Sequence, residues 1–180
     1  MKVAFSGGGG TGKTTLIKHI SSHLPNYTII HDYIDHELRL LGLSSPKQLS
    51  DIQARQVRLR ALGKKIKSEL ETPNFLSDKS VVDYYAYWLI WTMAGAAHEE
   101  SQRFEETVKS HVRNYDLVII PQYGRFEIAD NGIRTTNHFH QFRVHALIRG
   151  IYGELNIPTK EYSLNLKDSP EKVIEDLRII

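Results

Sequence analysis

The sequence predicts one α/β domain, a doubly wound three-layer fold around a five-stranded parallel sheet, and three observations support this fold class. Short apolar segments alternate along the chain with longer helical patterns, which is typical of a parallel sheet with helical crossovers. A run of glycines separates the first apolar segment from the first helical pattern. The length of 180 residues corresponds to about one domain. We therefore expect residues 1–180 to form a single domain.

Five short segments rich in apolar residues are the predicted strands. Glycines end the first of them, and Pro121 ends the fourth, which is the most clearly apolar of the set. Glycine and proline are the residues that most often interrupt regular structure. The predicted strands are residues 3–5, 27–30, 74–77, 115–120 and 160–164.

The segments between the strands are the predicted helices. Residues 81–93 are apolar on every side, which indicates a helix inside the domain. Ser169 and Pro170 are typical of a helix start, with the serine as N-cap. The predicted helices are residues 13–24, 50–70, 81–93 and 99–112, one through 144–155, and one from Ser169 onward.

The helix predicted at 50–70 is both amphipathic and basic. Apolar residues recur at a spacing near 3.6, and this spacing predicts a buried face of Ile52, Leu59, Leu62, Ile66 and Leu70. The other faces carry Arg55, Arg58, Arg60, Lys64, Lys65 and Lys67. Residues 47–71 contain seven Lys and Arg against three Asp and Glu, a surplus of four. This surplus fits either a solvated surface or a contact with nucleic acid.

Composition excludes several classes of protein. The absence of cysteine excludes disulfides, thiolate zinc sites and cysteine nucleophiles, and it fits a reducing compartment. The net charge of +2 is weak support for a nucleic-acid partner. No signal peptide is recognisable, and no apolar stretch approaches the length of a membrane span. We therefore expect a cytoplasmic protein without a membrane partner.

Residues 7–14 match the pattern G-x-x-x-x-G-K-[ST] at every fixed position. In this P-loop, main-chain N–H groups converge on phosphates at a helix N-terminus. Lys13 is expected to bind the β and γ phosphates, and Thr14 is expected to ligate Mg²⁺. We therefore predict that the protein binds ATP and Mg²⁺. The predicted nucleotide-binding residues are Gly8, Gly9, Gly10, Thr11, Gly12, Lys13, Thr14 and Thr15.

Asp78 is the next candidate, since it stands at the end of the third predicted strand. A carboxylate there is expected to complete the magnesium site with Thr14, or to accept the proton of a substrate hydroxyl. Capping of the following helix is the alternative. The chain contains no Asn-Lys-x-Asp motif, which disfavours a GTPase switch.

Several segments resemble small P-loop kinases, more narrowly the kinase domain of bacterial nicotinamide-riboside kinases and the related AAA-type predicted ATPases. Residues 75–80 resemble that group's Asp-Arg-Ser/Gly segment, with Lys79 in place of the arginine. Residues 115–121 and 130–134 resemble its strand-Pro and Asp-Gly-x-Arg lid segments. The resemblance extends over nearly the whole chain and implies transfer of a phosphoryl group from ATP.

Phosphoryl transfer also needs cations around the γ phosphate and exclusion of water. Residues of about 121–143 are the expected lid, and Arg134 is the best candidate within it. Arg125 and Arg143 are second choices. A solvated surface arginine is the alternative at each of these positions.

Acceptor-binding residues are expected beyond the second predicted strand, because ligands of open α/β sheets bind outside the carboxyl ends of strands. Asp32 and Asp35 follow that strand and are predicted to bind ribose-type hydroxyls. Tyr84 is the preferred aromatic residue of the pocket. Surface charge and core packing are the respective alternatives. His138, His140 and His145 do not share one helix face, so a zinc site is disfavoured.

The sequence leaves three functions open. The first is an ATP-dependent kinase acting on a nucleoside- or nucleotide-like acceptor, with Lys13, Asp78 and Arg134 as catalytic residues. The second is a kinase that phosphorylates a hydroxyl on a modified base in nucleic acid, which the basic helix motivates. The third is an ATP-hydrolysing regulatory switch without a small-molecule acceptor.

Overall fold

In the computed structural model, residues 1–128, 135–162 and 169–179 are described, and five strands within them form one sheet. The strands are β1 (Lys2–Phe5), β2 (Thr28–Ile30), β3 (Phe75–Asp78), β4 (Leu117–Pro121) and β5 (Thr159–Tyr162). Their order is β2-β3-β1-β4-β5, and every neighbouring pair is parallel. The predicted five-stranded parallel sheet is confirmed, and the strand boundaries agree within a few residues.

Seven α-helices in the same described ranges connect the strands. They are α1 (Lys13–Ser21), α2 (Ile34–Leu40), α3 (Asp51–Glu71), α4 (Val81–Trp91), α5 (His98–His111), α6 (His138–Glu154) and α7 (Ser169–Ile179). The sequence did not predict α2, because it is only 7 residues long and begins without a side-chain cap. None of these described helices is long and apolar enough to cross a bilayer.

Helices cover both faces of the sheet, and alternate residues of one strand enter opposite cores. In β4, Val118 and Ile120 pack with residues of α4, α5 and α6, whereas Ile119 packs with residues of α1 and α7. Trp88 of α4 is fully buried and stacks on Phe104 of α5, with ring centroids 4.5 Å apart. Such an aromatic pair contributes about 0.5–1.5 kcal/mol beyond the area that it buries.

The buried face of α3 differs from the predicted one. Ile52 and Leu70 are each 60% exposed, and Leu59 is 38% exposed. The buried residues are Val57, Ala61, Leu62, Lys65 and Glu69. The prediction is confirmed for Leu62 and Ile66. It is wrong at the other three positions because it followed apolar residues alone, whereas this face also buries an ammonium and a carboxylate. Such groups are tolerated inside a protein only when hydrogen bonds satisfy them.

The carboxyl ends of the strands meet at one edge because the sheet is parallel. Phe5 at the end of β1 lies opposite Asp78 at the end of β3. Ile30 at the end of β2 lies opposite Ser77. The loop that follows β1 therefore emerges beside the residues that follow β3 and β2, where an open α/β sheet binds its ligands.

Candidate active site

The P-loop joins β1 to α1 and uses glycine where a side chain would not fit. Gly12 precedes α1 with a φ of 78°, a left-handed conformation that glycine adopts readily. A Cβ on Gly8 would lie 2.6 Å from the main-chain oxygen of Gln141. The glycine run therefore provides both the turn into α1 and the close approach of α6.

Lys13 is the first residue of α1, and only 8% of it is exposed. Its Nζ donates to the main-chain oxygens of Gly7 at 2.5 Å and Gly8 at 2.8 Å. The Thr11 hydroxyl also donates to the Gly8 oxygen, at 3.0 Å. These contacts hold the ammonium against the loop whose amides are suited to phosphate.

Thr14 and Asp78 meet at the end of β3. The Thr14 hydroxyl donates to Oδ2 of Asp78 at 2.7 Å. A hydroxyl and a carboxylate are oxygen donors of the kind Mg²⁺ prefers, and Mg²⁺ is commonly held by one or two carboxylates together with substrate phosphates. The described residues contain no group of three or more His, Asp or Glu suited to a metal. Thr14 and Asp78 are therefore the described residues suited to hold a magnesium ion beside bound phosphates.

Asp83, on the first turn of α4, fastens the start of the P-loop. Its Oδ2 accepts from the Ser6 hydroxyl at 2.6 Å, and its Oδ1 accepts from the Gly7 N–H at 3.0 Å. Oδ2 also accepts from the N–H of Ser80 and from its hydroxyl, both at 2.9 Å. Asp83 is fully buried, so it ties the phosphate loop to the capping box that starts α4.

Helix α6 contacts the P-loop through two side chains. Oε1 of Gln141 accepts from the Gly9 N–H at 2.7 Å, and Nδ1 of His145 accepts from the Gly8 N–H at 3.4 Å. Burial, with the charges of Lys13 and Arg149, lowers the pKa of His145 to about 4. A neutral imidazole is the form that accepts a hydrogen bond at Nδ1.

Asp32 stands just beyond β2 and has three partners. Its Oδ2 accepts from Nζ of Lys79 at 2.5 Å, and its Oδ1 accepts from the Tyr84 hydroxyl at 2.7 Å. The Ile34 N–H also donates to Oδ1, at 3.1 Å. Lys79 has a φ of 69°, which is costly for a residue with a side chain. The chain therefore holds this lysine in a strained conformation that brings it to Asp32.

The charges of this group support one another. Burial alone would raise the pKa of Asp32, but the charge and hydrogen bond of Lys79 outweigh it, so the pKa lies below its ordinary value. Burial would lower the pKa of Lys79, and Asp32 raises it instead. Burial and the nearby Asp32 raise the pKa of Tyr84. At neutral pH the site therefore holds an ionised carboxylate, an ammonium and a neutral phenol.

Two cavities adjoin at these residues. The first, of about 1200 Å³, runs along the P-loop and past Thr14 and Asp78. The second, of about 460 Å³, lies between α3, α4 and the start of α6, and Tyr84 and Trp91 are among its walls. Five residues line both cavities, namely Asp32, Asp35, Lys79, Tyr87 and Gln141. We call these five residues the junction.

The structure brings most of the predicted site residues to this region. Residues 9–15 of the P-loop segment line the first cavity with Asp78, while Asp32 and Asp35 lie at the junction and Tyr84 lines the second cavity. Gly8 was also predicted to bind the nucleotide, but it does not line the first cavity, and its N–H donates to His145. Arg134 lies outside the described residues. Arg125 is exposed and donates to the Gln122 side chain, and Arg143 is exposed on α6.

Gln141, Asp83 and the role of Lys79 were not predicted. No local motif marks Gln141, and only the packing of α6 on the P-loop reveals it. Asp83 had a sequence signal, because Ser80 and Asp83 are spaced as a capping box. The histidines of α6 do not converge on one point. His138 contacts Tyr123, the His140 ring lies tilted beside Trp91, and His145 contacts both Tyr123 and the P-loop.

The basic residues of α3 are largely engaged within the protein. Arg60 and Lys64 both pair with Glu37 of α2, at 2.8 Å and 2.6 Å. Arg55 pairs with Glu100 at 3.8 Å, and Lys67 pairs with Glu71 on its own helix. The surplus of positive charge in the sequence is therefore partly neutralised by carboxylates of other segments.

Comparison with known proteins identifies the family of this chain. A family model described as an AAA domain matches residues 2–168. The chain belongs to this family. Its resemblance to P-loop kinases and AAA-type ATPases, stated from the sequence, is thereby confirmed. No curated protein matches the sequence.

Solved structures of kinases share the fold of this family member. A NadR protein in complex with NR matches with a TM-score of 0.73 and 16% identity, over 99% of this chain and 51% of that one. Deoxyadenosine kinase from M. mycoides with bound dCTP matches with a TM-score of 0.64 and 14% identity, over 100% of both chains. Thymidylate kinase from Ehrlichia chaffeensis matches with a TM-score of 0.61 and 16% identity, over 99% of this chain and 96% of that one. The chain spans about half the length of the NadR chains that it matches.

Proposed function

We propose that this protein is an ATP-dependent kinase that transfers the γ phosphate to a hydroxyl of a nucleoside- or nucleotide-like acceptor. The observation that carries the proposal is the junction, where a P-loop cavity and a second cavity share five residues. Direct transfer requires donor and acceptor to be held side by side in this way. The kinase fold of the structural neighbours supports the same proposal.

On the phosphate side, the P-loop amides and Lys13 bind the β and γ phosphates of ATP. Thr14 and Asp78 hold Mg²⁺, which neutralises charge on the phosphate oxygens. The Gly9 N–H exchanges its bond with Gln141 for a bond to a phosphate oxygen. We propose that residues 121–143 cover this side and that Arg134 adds a cation to the transferring group. Phe126 and Glu127 of that segment already line the first cavity.

On the acceptor side, Asp32 orients the hydroxyl that attacks the γ phosphorus. The new bond joins the acceptor oxygen to phosphorus, and the bond from phosphorus to the β–γ bridging oxygen breaks, so that ADP leaves. The hydroxyl proton becomes more acidic as the new bond forms and passes to the carboxylate of Asp32. Asp35 binds a neighbouring hydroxyl, while Lys79 stays beside the transferring group.

The second cavity suits a planar polar ring. Its volume of about 460 Å³ falls within the range of small-molecule sites. Tyr87 and Trp91 give it aromatic walls, and Arg58 gives it a guanidinium, so that a base is able to stack and form hydrogen bonds there. Two of the structural neighbours bind NR and dCTP, and both ligands are compatible with a nucleoside-like acceptor here.

A kinase acting on nucleic acid has less support than a small-molecule kinase. The basic residues that motivated it include Arg60, Lys64 and Lys67, which pair with carboxylates, and Lys65, which is fully buried. A regulatory switch that only hydrolyses ATP has no second substrate to occupy the second cavity. We therefore place the acceptor in that cavity and propose a cytoplasmic phosphotransferase.

The test is transfer from γ-labelled ATP with Mg²⁺ to a panel of ribonucleosides, deoxyribonucleosides and their monophosphates. We expect labelled product from at least one of them, and its loss in the Lys13→Met variant. Single-stranded DNA and RNA are included in the same assay. Label in the polymer alone would favour the nucleic-acid kinase. Release of inorganic phosphate without any labelled acceptor would favour the switch and reject the proposal.

A further inference from the structure

Lys65 is the buried cation that the proposed reaction does not yet use. It lies on α3, and its side chain is fully buried. Arg60, Lys64 and Lys67 on the same helix have side chains that are 46%, 40% and 75% exposed. Burial of an ammonium costs several kcal/mol unless the protein compensates it. An apolar side chain of the same length would fill this space without that cost, so the charge itself calls for an explanation.

The ammonium of Lys65 donates to three main-chain carbonyls. Nζ lies 3.2 Å from the oxygen of Ile30 and 3.3 Å from that of His31, at the end of β2. It lies 3.0 Å from the oxygen of Asp78, at the end of β3. A lysine ammonium has three donors, whereas a neutral amine has two. The three acceptors therefore match the charged form.

This contact joins two strands just where their own pairing ends. The ladder between β2 and β3 finishes with Ile30 opposite Ser77. Beyond that pair, the chain continues into His31 and Asp32 on one side and into Asp78 and Lys79 on the other. Lys65 fastens these two segments to each other. It thereby fixes the spacing between the carboxylate proposed for the acceptor and the carboxylate proposed for Mg²⁺.

Lys65 also supplies positive charge beneath the carboxylates. Burial lowers the pKa of Lys65, and four carboxylates oppose that effect, namely Glu69 of α3, Asp32 beyond β2, Asp78 of β3 and Asp83 of α4. Lys65 therefore lies among carboxylates from four segments of the chain and balances part of their negative charge.

Glu69 lies four residues after Lys65 on α3, a spacing that allows an ion pair, but the two side chains are not in close contact. Its carboxylate lies 3.8 Å from Nζ. It has a hydrogen bond from the Ser77 hydroxyl at 2.5 Å, a bond with Nε2 of His111 at 2.7 Å and one from the Tyr115 hydroxyl at 2.9 Å. The shortest contacts of the Lys65 ammonium are therefore with the carbonyls at the strand ends and not with the carboxylate of Glu69.

We infer that Lys65 is a positioning residue for phosphoryl transfer, which sets the separation of Asp32 and Asp78 by bonding the main chain beside each of them, without touching either substrate. This inference rests on the proposed kinase function. It assigns to α3, whose basic residues suggested a nucleic-acid surface, a role inside the active site.

The test compares Lys65→Met with Lys67→Met, which removes an exposed lysine from the same helix. With the acceptor that the wild-type protein phosphorylates, we expect kcat of Lys65→Met to fall by about 10- to 100-fold, because small displacements of reacting groups are costly. The affinity for a non-hydrolysable ATP analogue should change by less than about threefold, because the P-loop is untouched. Lys67→Met should match the wild type in both measurements.

The split between kcat and KM separates positioning from packing. Loss of the bonds to Ile30, His31 and Asp78 displaces the two strand ends relative to each other, so kcat should fall while KM for the acceptor changes by less than about threefold. Lys65→Gln, which keeps donors for the carbonyls, should lose less of kcat than Lys65→Met. If Lys65→Met does not fold, the kcat of Lys65→Gln decides.

The outcomes distinguish this inference from the proposed function. Absence of transfer by the wild-type protein to every acceptor rejects the proposed function, whatever the variants do. Transfer by the wild type, together with an unchanged kcat in the Lys65 variants, overturns the role of Lys65 and leaves the proposed kinase function in place.

Discussion

The two halves of the candidate site are built in different ways. The phosphate half comes from consecutive residues between β1 and α1, and its main groups are main-chain amides and Lys13. The acceptor half is assembled from the end of β2, the end of β3, α4 and α6, and its main groups are side chains such as Asp32 and Lys79. Damage to the first half should therefore abolish nucleotide chemistry altogether. Damage to the second should affect the acceptor and leave ATP binding intact.

Lys13→Met should have the largest effect, because it removes the one cation that the P-loop motif places on the phosphates. We expect kcat to fall by about 10³-fold, which is the scale of losing a preorganised charge in a protein site. Steady-state kinetics measure this fall in kcat. Lys18→Met, at an exposed position of the same helix, is the control. Retention of more than a tenth of the wild-type kcat would show that the loop amides alone hold the transferring phosphate.

Asp83→Asn tests how far the phosphate half depends on a distant residue. Asp83 accepts four hydrogen bonds from Ser6, Gly7 and Ser80 while fully buried. The amide of asparagine would turn one oxygen into a donor that faces other donors. We expect the free energy of unfolding to fall by about 3 kcal/mol.

Urea denaturation measures this loss. Asp116→Asn is the control, because Asp116 is exposed and accepts from the Lys2 N–H at 2.6 Å. It should cost less than about 1 kcal/mol. Equal losses in the two variants would mean that Asp83 does not hold the loop in the way that its contacts indicate.

Asp32→Asn should separate the two halves most clearly. The asparagine keeps an oxygen for the Tyr84 hydroxyl and the Ile34 N–H, but its amide group faces Lys79. We expect kcat/KM for the acceptor to fall by about 10²-fold, with an unchanged dissociation constant for the ATP analogue. Asp116→Asn, at an exposed position that lines neither cavity, is the control and should leave both constants unchanged. If the affinity for the ATP analogue fell as much as kcat/KM for the acceptor, the two halves would not be functionally separate.

The same contrast explains which parts of the site the sequence predicts. The P-loop is local, so eight neighbouring residues define its chemistry before any packing is known. Asp32, Asp35 and Asp78 are also predictable, because parallel strands bring their carboxyl ends to one edge. The sheet itself follows from the alternation of apolar segments and helical patterns.

The remaining features depend on packing between segments that are distant in sequence. Lys65 belongs by type to the basic residues of α3, and only the carbonyls of Ile30, His31 and Asp78 reveal that it is buried. Gln141 lies 132 residues from Gly9 in the sequence, yet its side chain accepts a hydrogen bond from the Gly9 N–H. Periodicity and composition carry no information about such pairs. The sequence therefore predicts that Asp32 and Asp35 lie at this edge of the sheet, but it does not predict the contacts that they make.

His145 gives the smallest predicted effect, on stability rather than on catalysis. Its pKa is about 4 in the folded protein, against about 6.5 in an unfolded chain. Between these values the unfolded state binds more protons, so stability must fall as the pH is lowered from about 6.5 to about 4. We expect this group to account for about 2 kcal/mol of that fall.

His145→Gln keeps an acceptor for the Gly8 N–H but has no proton to gain, so its unfolding free energy should decline less steeply through this range. Urea denaturation at a series of pH values, from 8 downward, measures the two slopes. At pH 8 the imidazole is neutral in both states, and the proteins should differ there only by a constant. Parallel curves down to pH 4 would show that His145 gains its proton without leaving the P-loop, and the contact between α6 and Gly8 would then not depend on a neutral ring.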